Sequence, residues 1–137
     1  MDYFKGRLVK LLVDFFEDDY RRIEHALEVL KEAEALLQGC PDCDRDVLVA
    51  AALLHDVGIK PSEEELGYNT GETQEKYGPP VVEELLEKIA FPAVAAHKVM
   101  EIVGNHHSPS RYDYPELRLL KEADRMVNRR EAAGSGR

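Results

Sequence analysis

No apolar run in this chain approaches the roughly 20 residues needed to span a bilayer, and no membrane segment is read from it. The start, Met1-Asp2-Tyr3-Phe4-Lys5, lacks the basic residues, apolar stretch and small-residue cleavage site of a secretory signal, so a cytoplasmic protein is expected. Basic side chains are in deficit, 18 Lys and Arg against 27 Asp and Glu, for a net charge of −9. This argues against a nucleic-acid polymer as the main partner, because phosphate backbones are bound through basic surfaces. A small phosphorylated substrate is not excluded, since a bound divalent cation reverses the local field. Cysteine is scarce too: Cys40 and Cys43, in Gly39-Cys40-Pro41-Asp42-Cys43, make half a zinc site with no second pair to complete it. A redox Cys-x-x-Cys expects a helix beside a sheet, and no strand is read, so both are expected to be reduced loop residues.

What is present is the composition of one globular domain, 44% hydrophobic and 33% charged over 137 residues, with no internal repeat and no linker. Helical periodicity dominates. The expectation is an all-α, single-domain bundle of about six helices over residues 1–131, with a disordered tail at 132–137.

The first helix carries Phe4, Leu8, Leu11, Leu12, Phe15 and Phe16 and ends near Glu17-Asp18-Asp19. That acidic turn caps a second helix with Ile23, Ala26, Leu27, Leu30, Ala33 and Leu37 inward, stopped by Gly39 and Pro41. A third, from Val47 to Leu54, is apolar nearly all round and should be central, with Gly58 as terminator and Pro61 just beyond. Residues 60–78 read as a long polar connection with at most a brief turn at Ser62-Glu63-Glu64-Glu65. Pro79 and Pro80 suit the first turn of a fourth helix with Val81, Val82, Leu85, Leu86 and Ile89. Phe91-Pro92 precede a fifth with Val94, Ala95, Val99, Ile102 and Val103, closed by Gly104, and a sixth spans about residues 114–128.

Asp124 is the first chemical clue. Leu117, Leu120 and Val127 share its helical face, so its carboxylate should be partly buried. A buried carboxylate needs a positive partner, which an Arg or Lys or a metal ion could supply. His55 and Asp56 close the most apolar helix, where packing has little use for two polar neighbours. His25 lies at the edge of its helix's apolar face, in line with Val29 and Leu36. His106 and His107 follow a helix-stopping glycine, whereas His97 has no such company.

His25, then Leu53-Leu54-His55-Asp56-Val57-Gly58-Ile59-Lys60, then Glu122-Ala123-Asp124-Arg125, together resemble the HD superfamily of metal-dependent phosphohydrolases, in the HDIG form of its motif. The resemblance covers about residues 25–128, and the family's helical bundle agrees with the periodicity. It implies that His25, His55, Asp56 and Asp124 ligate one divalent metal. In two-metal members further histidines follow, matched here by His106 and His107, and Asp56 would bridge the ions. Such members also place a histidine shortly before the glycine that opens the next helix. Here that segment reads Thr73-Gln74-Glu75-Lys76-Tyr77-Gly78, with Glu75 as the candidate substitute ligand and Glu72 as a fallback; a solvated acidic loop is the alternative.

Imidazoles and carboxylates without thiolates suit Fe, Mn, Zn, Co or Ni, as one or two ions. A water on such an ion loses its proton near neutral pH and can attack phosphorus. Lys60 is a candidate catalytic and phosphate-holding residue, Arg111 and Arg125 are further phosphate contacts, and His107, if not a ligand, could protonate the leaving group. The reaction implied is hydrolysis of a phosphate ester or anhydride of a small metabolite, such as a nucleotide. Two other readings stand beside it: a di-iron oxygenase of similar fold, and a non-catalytic nucleotide-sensing module.

Overall fold

Eight consecutive apolar side chains, Val47 to Leu54, are all buried in one short helix, and the remaining helices are arranged around it. The computed structural model describes residues 3–135. They form seven α-helices: α1 Phe4–Phe16, α2 Tyr20–Leu37, α3 Arg45–Leu54, α4 Ile59–Leu66, α5 Gly71–Lys88, α6 Ala93–Val103 and α7 Pro115–Ser135. Among the described residues there is no strand, and no helix is long and apolar enough to cross a membrane. The fold is all-α, as expected.

Central α3 packs against α1, α2, α6 and α7; α2 also lies along α7, while α5 packs on α6 and α4 on α5. The Asp44 carboxylate caps α3 by accepting from Val47 N at 3.2 Å. Asp19 does the same for α2, accepting from Arg22 N at 3.3 Å, so the acidic turn performs its expected role. Two residues assigned to the core lie outside it. Leu27 is 40% exposed and Val94 is 87% exposed, because each helix's buried stripe is narrower than its run of apolar residues.

Residues 60–78 differ from the long loop expected. They hold all but the first residue of α4 and the first eight residues of α5. Pro61 falls in the first turn of α4, where its missing N–H has no helical partner to lose. Gly58 therefore does not end α3 but precedes α4, and its φ of −67° is ordinary. Space explains this glycine: a methyl group there would sit 2.5 Å from the Gln74 carbonyl oxygen and 2.8 Å from the Gly78 nitrogen. The turn after α3 is thus pressed onto the backbone of α5.

α5 starts eight residues before the prolines expected to open it, with Thr70 and Thr73 forming a reciprocal cap. Pro79 and Pro80 consequently sit inside the helix, where they remove the bonds that would reach the Glu75 and Lys76 carbonyls. Tertiary contact outweighs that local cost. α5 buries Gln74, Gly78, Val82, Leu85 and Leu86 at helical spacing, and a methyl group on Gly78 would lie only 2.8 Å from Val103 of α6. α7 also runs past its expected end, through Ser135. Its later turns are tied to α2 by Arg130, 2.8 Å from Glu32 and 3.6 Å from Glu28. Of the tail expected to be disordered, residues 132–135 are helical; Gly136 and Arg137 lie outside the described residues.

Candidate metal centre

Four elements deliver the side chains. α2 carries His25, the turn after α3 carries His55 and Asp56, the turn after α6 carries His106, and α7 carries Asp124. They converge. His25 Nε2 lies 3.1 Å from Asp124 Oδ1 and 3.5 Å from Asp56 Oδ2. His55 Nε2 lies 3.3 Å from each of those same two oxygens. The other oxygen of Asp56, Oδ1, faces His106 Nε2 at 3.7 Å. Asp56 therefore divides two donor groups that could each hold an ion: His25, His55 and Asp56 on one side, Asp56, His106 and His107 on the other.

The ring nitrogens test whether a cation suits this space. His55 Nδ1 lies 2.8 Å from Ala52 O, and His106 Nδ1 lies 2.6 Å from Val103 O. A carbonyl only accepts, so both rings donate from Nδ1 and the neutral forms keep a lone pair on Nε2. Both Nε2 atoms are buried with no hydrogen-bond partner, and both face carboxylate oxygens. Lone pairs aimed at anions in a buried space repel unless a proton or a metal ion lies between them. The residues fit a divalent cation.

The electrostatics agree. Burial opposes charge on the His55 imidazole, but the nearby carboxylates of Asp56 and Asp124 outweigh it, pushing its pKa up to about 9. Burial likewise raises Asp56, yet the nearby charges of His55, His106 and His25 bring it down to about 2. Asp124 is held well below the ordinary carboxylate value: burial works against this, and the hydrogen bond with His25 and the nearby charge of His55 prevail. The cluster draws in positive charge from whatever source is present.

The second group is built differently. Asn69 Nδ2 donates to the Glu63 carboxylate at 2.8 Å, which fixes the orientation of the Asn69 amide. Its Oδ1 then accepts from Gln74 Nε2 at 2.9 Å, so Gln74 Oε1 faces His107 Nε2 at 2.6 Å and accepts its proton. A chain of polar groups anchored on Glu63 thus sets the tautomer of His107. Burial and the neighbouring charge of His106 lower the pKa of His107.

Several expected site residues lie elsewhere, and these placements are corrections. Glu75 belongs to neither donor group: its Oε2 accepts from His107 N and Ser108 N, both at 3.0 Å, and from Ser108 Oγ at 2.8 Å. It holds the loop that presents the histidines, and Gln74 takes the buried position beside His107. Glu72 is the first-turn acid of α5, beside the N-terminal end of its dipole, and belongs to neither group. Lys60 does not reach the cluster: its ammonium donates to Phe15 O at 2.8 Å, satisfying a carbonyl at the C-terminus of α1. Arg111 bonds Gly104 O at 3.1 Å and Ser108 Oγ at 3.3 Å, bracing the same loop. Arg125 is exposed on α7 and pairs with Glu122. Cys40 and Cys43 are free thiols in neither group, and burial with a hydrogen bond to Cys40 pushes Cys43 up to about 12.

Two supporting residues escaped the sequence reading. Asn105 is fully buried; its Nδ2 donates to Ser108 Oγ and Pro109 O while its Oδ1 accepts from Arg111 N, shaping the turn around both histidines. Lys121 Nζ donates to Ser108 O and Ser110 Oγ, both at 2.7 Å. Nothing local marks either residue. Gln74 did carry a signal: with α5 extended back to Gly71, it leads the buried series Gln74, Gly78, Val82, Leu85.

The fold is shared with the crystal structure of a predicted HD superfamily hydrolase from an uncultured Thermotogales bacterium, at a TM-score of 0.67 and 24% identity. The match covers 87% of this chain, which spans 65% of the length of that one. No curated protein matches the chain. The model of the HD domain matches residues 22–129, a span that contains all five of His25, His55, Asp56, His106 and Asp124, and the chain belongs to the HD domain family.

Proposed function

We propose that this protein is a divalent-metal-dependent phosphohydrolase that cleaves a phosphate ester or anhydride of a small metabolite, with nucleotides as the first class to test. The observation that carries this reading is the pair of buried, unpartnered Nε2 atoms on His55 and His106, one on each side of Asp56. On this reading His25, His55, Asp56 and Asp124 hold the ion, and His106 and His107 offer a second position through Asp56. A divalent ion held there supplies positive charge against phosphoryl oxygens and lowers the pKa of a coordinated water.

The chain's own residues supply the rest. Asp56 and Asp124 keep their negative charge at neutral pH, which favours retention of the ion. The Glu63, Asn69 and Gln74 chain orients the His107 ring at the second donor group. A small substrate, rather than a nucleic-acid polymer, suits a chain of net charge −9. The free thiols are compatible with work in the reducing cytoplasm.

The test is metal analysis of the purified chain followed by a screen of phosphorylated metabolites with excess Mn²⁺. Stoichiometric Fe, Mn, Zn, Co or Ni with turnover of at least one phosphate ester or anhydride is expected. Metal without any phosphate release, together with oxygen consumption by a two-iron form, would instead favour the oxygenase.

A further inference from the structure

The imidazoles of His25, His55 and His106 are each held at Nδ1, but by two different means. His55 and His106 sit just past the ends of α3 and α6, where the last carbonyls of a helix have no amide partner within it. Ala52 O and Val103 O are such carbonyls, and each accepts from the histidine that follows. His25 has no such neighbour. It lies inside α2, five residues past its first residue and twelve before its last, where the helix's own ladder uses the carbonyls around it. Its Nδ1 faces the carboxylate of Glu131 instead, 2.9 Å from Oε2 and 3.1 Å from Oε1.

We infer that Glu131 is a positioning residue of the metal site: it holds the Nδ1–H of His25 so that Nε2 presents its lone pair toward Asp56 and Asp124. The inference rests on the metal reading above and adds a residue two positions beyond the span matched by the family model. A carboxylate behind a ligating imidazole fixes its tautomer and ring angle and raises its basicity, which a backbone carbonyl does less strongly. Simple packing of α7 on α2 does not account for the contact. The Glu131 side chain is 46% exposed, and Arg130 already ties the two helices through Glu28 and Glu32. The extension of α7 beyond Asn128 is what brings Glu131 over His25.

The test is titration of Mn²⁺ into the metal-free full chain for wild type, Glu131→Ala, Glu131→Gln and the control Glu32→Gln, with ring ¹⁵N spectra of the Zn²⁺-loaded proteins. Glu131→Ala is expected to weaken Mn²⁺ binding by about 10- to 100-fold, and Glu131→Gln, which keeps an acceptor oxygen, by only about a few-fold. Glu32→Gln removes a neighbouring ion pair and is expected to leave affinity unchanged. In wild type the spectra should show His25 protonated at Nδ1 and bound through Nε2, a signature lost or mixed in Glu131→Ala. If the alanine variant does not fold, Glu131→Gln carries the test through its affinity and its His25 shifts. Unchanged affinity and an unchanged His25 tautomer overturn the role of Glu131 while leaving the metal reading standing. A wild-type chain that takes up neither Mn²⁺ nor Zn²⁺ overturns both.

Discussion

α7 carries two buried or nearly buried carboxylates, Glu116 and Asp124, and the protein treats them in opposite ways. Glu116 is fully buried, with Lys98 Nζ 2.9 Å from one oxygen and the Asp44 amide donating to the other at 2.6 Å. Its charge is matched from within the chain, and it ties α7 to α6 and to the cap of α3. Asp124 is faced only by imidazoles, at 3.1 Å from His25 and 3.3 Å from His55, and no Arg or Lys pairs with it among the described residues. The sequence left an ion pair and a metal ligand as equal explanations of an acid in an apolar stripe. Both occur on this one helix. What separates them is whether a permanent cation comes from the chain or must come from solution.

That contrast can be broken or sharpened in four measurements. The largest effect is expected from Asp56→Ala, which removes the oxygens shared by both donor groups and should abolish bound metal and turnover alike. Full metal content in that variant, by elemental analysis, would rule out the site assignment. Glu116→Ala should do the reverse, costing about 3 kcal/mol in urea unfolding because Lys98 loses its partner, with metal content per folded chain unchanged. A loss of metal there would mean that the two carboxylates are not independent.

The third measurement is pH. In the metal-free chain the His55 pKa is raised to about 9 from 6.5, so its contribution is full below pH 6.5 and is lost as pH rises through 9. The Asp56 pKa is lowered to about 2 from 3.8, so its contribution is full above pH 3.8 and is lost as pH falls through 2. Metal-free stability should therefore be highest between about pH 4 and 6.5 and decline toward pH 9, by on the order of 3 kcal/mol from His55. An ion binds the neutral imidazoles, so its stabilisation grows over the same range. Melting temperatures with and without chelator should diverge from pH 6 to 9; a gap that stays constant would count against the cluster as the metal site. The smallest effect belongs to Cys40→Ser, far from both carboxylates in function: turnover should stay within about a few-fold of wild type, since a reduced loop thiol has no part in either group.

The parts of the fold legible in advance were those written in local periodicity. The uniformly apolar α3, the acidic cap of α2 and the stripe that buries Asp124 with Leu117, Leu120 and Val127 all depend on neighbours within a turn or two. His55-Asp56 stood out for the same reason, as polar residues closing an apolar run. The start of α5 was not legible, because two consecutive prolines argue locally for a helix beginning and only the close approach of Gly58 and Gly78 to their neighbours outweighs them. With the segment helical from Gly71, Gln74 falls on the buried face of α5 and stands beside His107, where Glu75 had been expected for its carboxylate. Lys60 was misplaced because adjacency to a motif in sequence says nothing about the direction in which a long side chain extends.

By itself the sequence determined an all-helical chain with an acid and an imidazole bound to its most apolar helix, because spacing along a helix is spacing on a face. Only the tertiary structure decided which partners those groups meet. Lys98 reaches Glu116 across 18 positions, Glu131 reaches His25 across 106 and Asp124 across 99, and no local pattern encodes such distances. Charge compensation is a property of what lies within a few ångströms, and packing, not chain order, chooses those neighbours.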